Sequence, residues 1–289
     1  MAMTPPTTSK SKAERGEART KIVVINMMDA VERRDRFEKR ARHAPLPWSF
    51  YPAHTSLHAA LTYDEQGAII AKGRPLRAGE LGVYSSHYAA WQDLQSDDVD
   101  QYVVLEDDVI VDWNFLGKLA QVNLAKMGIN YLRLYYTYPT RRTALVKQNF
   151  IDGKHSIVEL HGTVFGAMAY AITKAGARIF LDHCRIVRRP IDDEMDRTWA
   201  HGQRNLSVFP FPVLGESGES IIGVARFEAF VVPRKLRFKW LVARRLERWR
   251  RDAWTVMHRF QRFRAGLMAR TRSAEARNSA NESMRRWRP

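Results

Sequence analysis

Three adjacent carboxylates, Glu106-Asp107-Asp108, follow directly on the apolar run Tyr102-Val-Val-Leu105. Like charges packed this closely repel, so the cluster is costly unless a cation or hydrogen-bond donors offset it. Side chains alternate along a strand, which places Glu106 and Asp108 on one side. Two hard oxygen donors on one side suit Mg2+ or Mn2+. A nucleotide diphosphate would supply further ligands, and the cation would offset charge developing on a departing diphosphate. The alternative is a solvated acidic loop with an Asp capping the next helix. The position at the end of a buried run favours the metal.

The elements that must position this triplet can be read on either side of it. Lys21-Ile-Val-Val-Ile-Asn26 reads as a buried strand, followed by a charged helix from Val31 to Arg42. Trp48–Tyr51 reads as a second strand, and 77–82 as a loop leading into a helix from Leu81 to Leu94. Tyr102–Leu105 is the strand that ends in the triplet, and Asp112 reads as the N-cap of a helix reaching Met127. Tyr131–Tyr135, Ala167–Ile172 and Leu206–Phe209 read as further strands, with helices at Lys174–His183 and Asp193–Ala200. Residues 138–160 read as irregular, with short strands at most. Strands alternating with helices predict an α/β/α sandwich on a mostly parallel sheet. In such open sheets ligands bind beyond the carboxyl ends of the strands, where the triplet lies.

The chain has 289 residues and a net charge of +16. That charge is local: residues 233–289 hold 18 Lys/Arg and 4 Asp/Glu, while residues 21–232 are close to neutral. Three parts are expected: a disordered leader at 1–20, a catalytic domain at 21–232 and a basic helical tail at 233–289. One cysteine, Cys184, makes an intramolecular disulfide impossible and reads as a small core residue. No apolar run reaches the length of a membrane span, and the N-terminus lacks the apolar centre of a signal peptide. A cytoplasmic protein is expected.

Four segments in order resemble glycosyltransferase family 25, the lipopolysaccharide-biosynthesis glycosyltransferases. Ile25-Asn26 with Glu32-Arg33-Arg34 and Phe37 is similar to the family's opening strand and Arg-rich helix. Gly79-Glu80-Leu81-Gly82 with Ser86-His87 and Trp91 is similar to its second block, and Tyr102–Val109 to its acidic signature. Gly162-Thr163 through Tyr170, then Ala175-Gly176-Ala177 and Pro190-Ile191-Asp192, resemble its last block, and Ser220–Gly223 the domain's end. The resemblance implies a GT-A-like fold, a UDP-sugar donor (often UDP-galactose), a divalent metal and inversion at the anomeric carbon. It makes Asp108 a direct metal ligand and leaves Glu106 or Asp107 to hold the ribose or a metal-bound water; Glu106 is also a candidate ligand. Two departures stand out: Pro52 replaces an acidic residue before Ala53, and 55–76 has no counterpart.

Further candidates follow. An inverting transfer needs a base for the acceptor hydroxyl; Asp192 is the candidate and Asp193 its substitute, against a capping role for both. Arg33 and Arg34 suit a diphosphate. His87 either contacts the nucleotide, orients a carboxylate or is structural. Asn26, Ser86, Gly162 and Thr163 complete the expected donor contacts. In the tail, Val242, Leu246, Trp249, Ala253, Val256, Phe260, Phe263 and Leu267 recur at spacings of four and three between arginines. Such a basic amphipathic helix suits an anionic inner-membrane surface and a glycolipid or oligosaccharide acceptor. Packing on its own domain, a coiled-coil homodimer and nucleic-acid binding compete; nucleic acid is not expected. Rival functions are a metal-dependent nuclease or phosphodiesterase, which would need a second carboxylate set, and a membrane-binding scaffold with a degenerate transferase domain.

Overall fold

The computed structural model describes residues 18–138, 140, 143–216 and 230–285. Most of the expected leader and the Ser220–Gly223 segment lie outside the described residues, as do the side chains of Phe263 and Leu267. The strands are β1 (Thr20–Asn26), β2 (Trp48–Pro52), β3 (Thr62–Tyr63), β4 (Gln101–Glu106), β5 (Val109–Val111), β6 (Tyr131–Arg133), β7 (Thr143–Phe150), β8 (His155–Leu160), β9 (Ala169–Thr173), β10 (Ile186–Val187), β11 (Leu206–Phe209) and β12 (Val213–Gly215). The helices are α1 (Val31–Ala41), α2 (Glu65–Lys72), α3 (Ala78–Ser96), α4 (Trp113–Leu119), α5 (Lys174–His183), α6 (Ile191–Asp196), α7 (Thr198–His201) and α8 (Arg234–Arg285).

Eight strands form one sheet in the order β2-β1-β4-β9-β6-β11-β8-β7. Its central strands are buried on both faces because their side chains alternate between two cores. Ile22 and Val24 of β1 and Val103 and Leu105 of β4 face Phe37, Phe115, Leu116 and Leu119, from α1 and α4. Val23 and Ile25, with Tyr102 and Val104, face Trp91, Leu94, Phe180 and Met195, from α3, α5 and α6. The result is a three-layer α/β/α sandwich. The sheet itself differs from expectation. β9 runs antiparallel to both β4 and β6, and β8 runs antiparallel to β11 and β7, so the sheet is mixed rather than mostly parallel. Parallel pairing survives at β2-β1, β1-β4 and β11-β6.

Three local readings are also corrected. Residues 138–160 hold two full strands, β7 and β8, which pair as a hairpin at the sheet edge. The helix capped by Asp112, whose carboxylate accepts from Phe115 N at 3.0 Å, stops at Leu119. Beyond it the Gln101 side chain takes over the backbone, donating to Val122 O at 2.9 Å and accepting from Leu124 N at 3.2 Å. Gly79 and Gly82 lie inside α3, not in a loop before it. Gly82 is required there because a Cβ would come within 2.5 Å of His54 O.

The chain divides into two compact units at Ala243/Arg244. In the first, α8 begins with Leu236 buried and Trp240 close to Gly73, while Phe238 and Leu241 are exposed. In the second, Leu246, Trp249, Val256, Met257 and Phe260 are exposed. No described helix is long and apolar enough to cross a membrane.

Candidate active site

The triplet is fixed by the sheet beneath it. Glu106 is the last residue of β4, in register with Ile25 of β1, and its N–H donates to Met168 O at 2.8 Å just before β9. The chain then turns through Asp107 and Asp108 into β5, which pairs with β12. Glu216 N donates to Asp108 O at 2.7 Å and closes the far side of the turn. The three carboxylates consequently have different surroundings.

Asp107 is buried and paired. It accepts from Asn26 Nδ2 at 2.5 Å, and Arg33 Nη1 lies 3.1 Å from its other oxygen. Asn26 in turn accepts from Arg34, through Nε at 3.1 Å and Nη2 at 2.9 Å. Burial pushes the Asp107 carboxyl up, with Asn26 and Arg33 opposing. Asp108 has no such partners. Its Oδ1 is buried without a hydrogen-bond partner among the described residues. Burial, then the charges of Glu106 and Asp107, push its carboxyl up to about 7. Glu106 stays partly exposed, with His87 Nε2 3.6 Å from its Oε1.

His87 is fully buried on α3 and reaches the triplet through a defined chain. Trp91 Nε1 donates to the Tyr170 hydroxyl at 2.9 Å, and that hydroxyl lies 2.9 Å from His87 Nδ1. The indole is a donor only, so the phenol proton is free to go to Nδ1 and the imidazole proton to Nε2. That nitrogen lies nearest Glu106 and has no hydrogen-bond partner among the described residues. Ser86 is engaged on both sides: it accepts from His54 N and donates to Gly82 O, both at 2.8 Å. Its hydroxyl pins the chain after β2 against α3.

These groups line one cavity of about 220 Å³. Arg33, Ser86, His87, Glu106, Asp107 and Asp108 contribute to its wall. Asn26 and Arg34 stand behind Asp107. Gly162 and Thr163 lie in the segment before β9 and are not part of the wall; Gly162 has φ +111°. Asp192 and Asp193 open α6, also outside the wall. Asp192 Oδ1 accepts from Asp193 N at 2.9 Å, while Asp193 is paired with Lys72 at 2.7 Å and Arg189 at 3.4 Å. The wall also holds His54, Thr55 and Ala78, which no motif marked. Burial, then His58, lowers the His54 imidazole. The signal available for these was indirect: the glycine that admits His54 O belongs to the Gly79–Gly82 block.

No group of three or more His, Cys, Asp or Glu side chains able to hold a metal is found among the described residues. With Asp107 committed to Asn26 and Arg33, the oxygen donors left are Glu106 and Asp108. Two carboxylates fit a hard cation that shares its remaining positions with phosphate and water, as Mg2+ sites commonly do. Arg33 Nε, buried and without a hydrogen-bond partner among the described residues, adds a donor suited to an anion.

Residues 19–195 match the family model described as glycosyltransferase family 25 (LPS biosynthesis protein), and the chain belongs to that family. A "Probable inactive glycosyltransferase 25 family member 3" from Bos taurus is 31% identical over 42% of this chain and 20% of its own length. "Procollagen galactosyltransferase 2" from Homo sapiens is 26% identical over 36% of this chain and 17% of its own. The chain thus spans about a fifth of the length of these curated relatives. Among solved structures, A197 from STIV aligns at 16% identity over 65% of this chain and 81% of its own, with a TM-score of 0.33.

Proposed function

We propose that the chain is an inverting, metal-dependent transferase of GT-A type. It moves a sugar, galactose, from a UDP donor to a lipopolysaccharide or related surface glycan. The observation that carries this reading is that Arg33, His87 and Asp108 line one cavity beside the triplet, and that each has a buried side-chain atom (Nε, Nε2 and Oδ1) without a hydrogen-bond partner among the described residues. Buried polar atoms left unsatisfied in a folded chain call for a partner. A diphosphate with a divalent cation offers oxygens to the arginine and positive charge to the carboxylates.

On this reading Glu106 and Asp108 hold Mn2+ or Mg2+, and the cation offsets charge on the departing diphosphate when bound. Arg33 binds a diphosphate oxygen, and Asn26 and Arg34 fix Asp107 so that Arg33 is aimed correctly. Asp192 takes the proton of the acceptor hydroxyl as its oxygen bonds the anomeric carbon. The bond from that carbon to the diphosphate breaks, and its electron pair leaves with UDP.

The relatives named as inactive support a second reading, a domain that binds nucleotide without turnover. Thermal shift with UDP, GDP and CDP, with and without Mn2+, tests both. A Mn2+-dependent shift with UDP is expected, and UDP release from UDP-galactose then separates turnover from binding. No shift with any nucleotide would overturn the donor site.

The basic helix α8 completes the proposal. Phe238, Trp249, Val256 and Phe260 are at least 60% exposed, with Arg244, Arg245, Arg248, Arg250 and Arg251 between them. Exposed aromatics flanked by cations suit an anionic bilayer surface on the inner leaflet, where a glycolipid acceptor would be at hand. Co-sedimentation with phosphatidylglycerol vesicles is expected for the full chain and not for a chain ending at residue 232. Equal behaviour of the two would remove the membrane contact.

A further inference from the structure

Phe165 has φ +54° and is followed by Gly166 at φ +90°. A bulky side chain in the left-handed region is a true outlier, and such strain persists only where the surroundings over-determine it. Here they do. Asp196 Oδ2 accepts from Val164 N at 2.8 Å and Phe165 N at 2.7 Å. Arg133 Nη1 donates to Phe165 O at 3.1 Å and also to Gly166 O. Arg133 and Asp196 are themselves paired at 2.8 Å, both fully buried, and Asn205 bridges them. A buried ion pair with four bonds on one strained turn is a large commitment to the placing of one ring.

That ring meets Tyr138 edge to face, with centroids 5.8 Å apart. Lys72 Nζ sits 5.7 Å from the Phe165 centroid and is held there by Asp193. Tyr138 is 58% exposed. The turn is also close to the triplet. Phe165 is three residues from Met168, whose carbonyl accepts from Glu106 N, and three residues span roughly 10 Å at most. Asp196, which clamps the turn, is the last residue of the short helix whose first turn holds Asp192.

We propose that Tyr138 and Phe165 form a subsite for the face of a pyranose ring of the acceptor glycan. This rests on the transferase reading above. Aromatic faces carry partial negative charge and attract the slightly positive C–H groups that line one side of a pyranose. Lys72, whose ammonium stands over the Phe165 ring and is shared with Asp193, donates to ring hydroxyls. The turn is three residues from the Met168 carbonyl that bonds Glu106 N, and on that connection the ring held here is assigned to the acceptor glycan.

Saturation-transfer NMR on the full chain with UDP and Mn2+ tests this, with methyl β-galactoside and methyl β-glucoside as probes. Saturation of ring protons in at least one glycoside is expected. It should fall at least fivefold in Tyr138→Ala and Phe165→Leu and return in Tyr138→Trp, with the UDP signal and melting temperature unchanged. Equal glycoside signals in all variants would overturn the subsite, as would no glycoside signal in a wild-type protein that binds UDP. Loss of UDP binding alone, with Tyr138-dependent glycoside signals kept, would sink the donor reading and leave the subsite standing.

Discussion

The cavity beside the triplet and the clamp at β6 and α6 handle buried charge in opposite ways. In the clamp, Asp196 receives four hydrogen bonds and Arg133 spends its guanidinium on Asn205, Asp196 and two carbonyls. Around the cavity, Asp108 Oδ1, Arg33 Nε and His87 Nε2 are buried without a hydrogen-bond partner among the described residues. Both regions hold ionised groups next to tightly packed apolar cores. The clamp is complete within the chain, and the cavity is incomplete. A completed network specifies structure, whereas an incomplete one costs stability and is tolerated where a ligand finishes it.

The contrast is broken most directly at Arg133. Removing one partner of a buried pair leaves the other charge unpaired, at a cost of about 3–5 kcal/mol. Arg133→Met should therefore lower stability by that amount in urea unfolding and release the strained turn at Phe165. A loss under about 1 kcal/mol would mean that water enters and replaces the arginine.

Glu194, two residues before Asp196, offers a second completed site. Burial would raise its carboxyl, but His183 with Arg197 and Arg189 outweigh this and lower it to about 2. Its folded value is below the ordinary 4.5, so its contribution is present above about pH 4.5 and lost as pH falls through about 2. Glu194→Gln should cost on the order of 3 kcal/mol at pH 7 and flatten the acid limb of a melting curve against pH. An unchanged acid limb would show that other carboxylates govern it.

Gly82 belongs to the cavity, since it lines the wall and lies on the helix that carries Ser86 and His87. Gly82→Ala drives a Cβ to within 2.5 Å of His54 O, a backbone atom with little freedom. A loss of about 1–3 kcal/mol is expected, with weaker UDP binding as the cavity wall at His54 shifts. Unaltered stability and binding would mean that the chain after β2 moves freely.

How much of this was legible follows from the same physics. β1, β4, β9 and β11 could be read because continuous apolar runs announce strands buried on both faces. The triplet could be read because three carboxylates interrupt such a run. β7 was missed because its Lys147, Gln148 and Asn149 face solvent at the sheet edge and dilute the pattern. β9 was found, but its direction is a matter of tertiary pairing that one sequence does not encode locally. The clamp left a faint trace, Arg133 within an otherwise apolar strand, but its partner Asp196 lies 63 residues away and carries no motif. The cavity wall at His54 was hidden for the same reason: proximity through a glycine is visible only when two segments are seen together.

The smallest expected effect on stability carries the sharpest contrast, because it should run against the effect on binding. Asp108 contributes a buried carboxylate whose neighbours repel it and whose Oδ1 has no hydrogen-bond partner among the described residues. Asp108→Asn keeps the shape and removes the charge. Relief of the repulsion should raise stability at neutral pH by about 1 kcal/mol, measured by urea unfolding in EDTA. The same change removes a metal-donor oxygen and should weaken UDP binding in the presence of Mn2+ by roughly tenfold or more, about 1.4 kcal/mol. A variant that gained stability and bound UDP as before would show that the site does not use Asp108. A variant that lost both would place Asp108 with the completed networks, where a carboxylate is part of the fold rather than kept for a ligand.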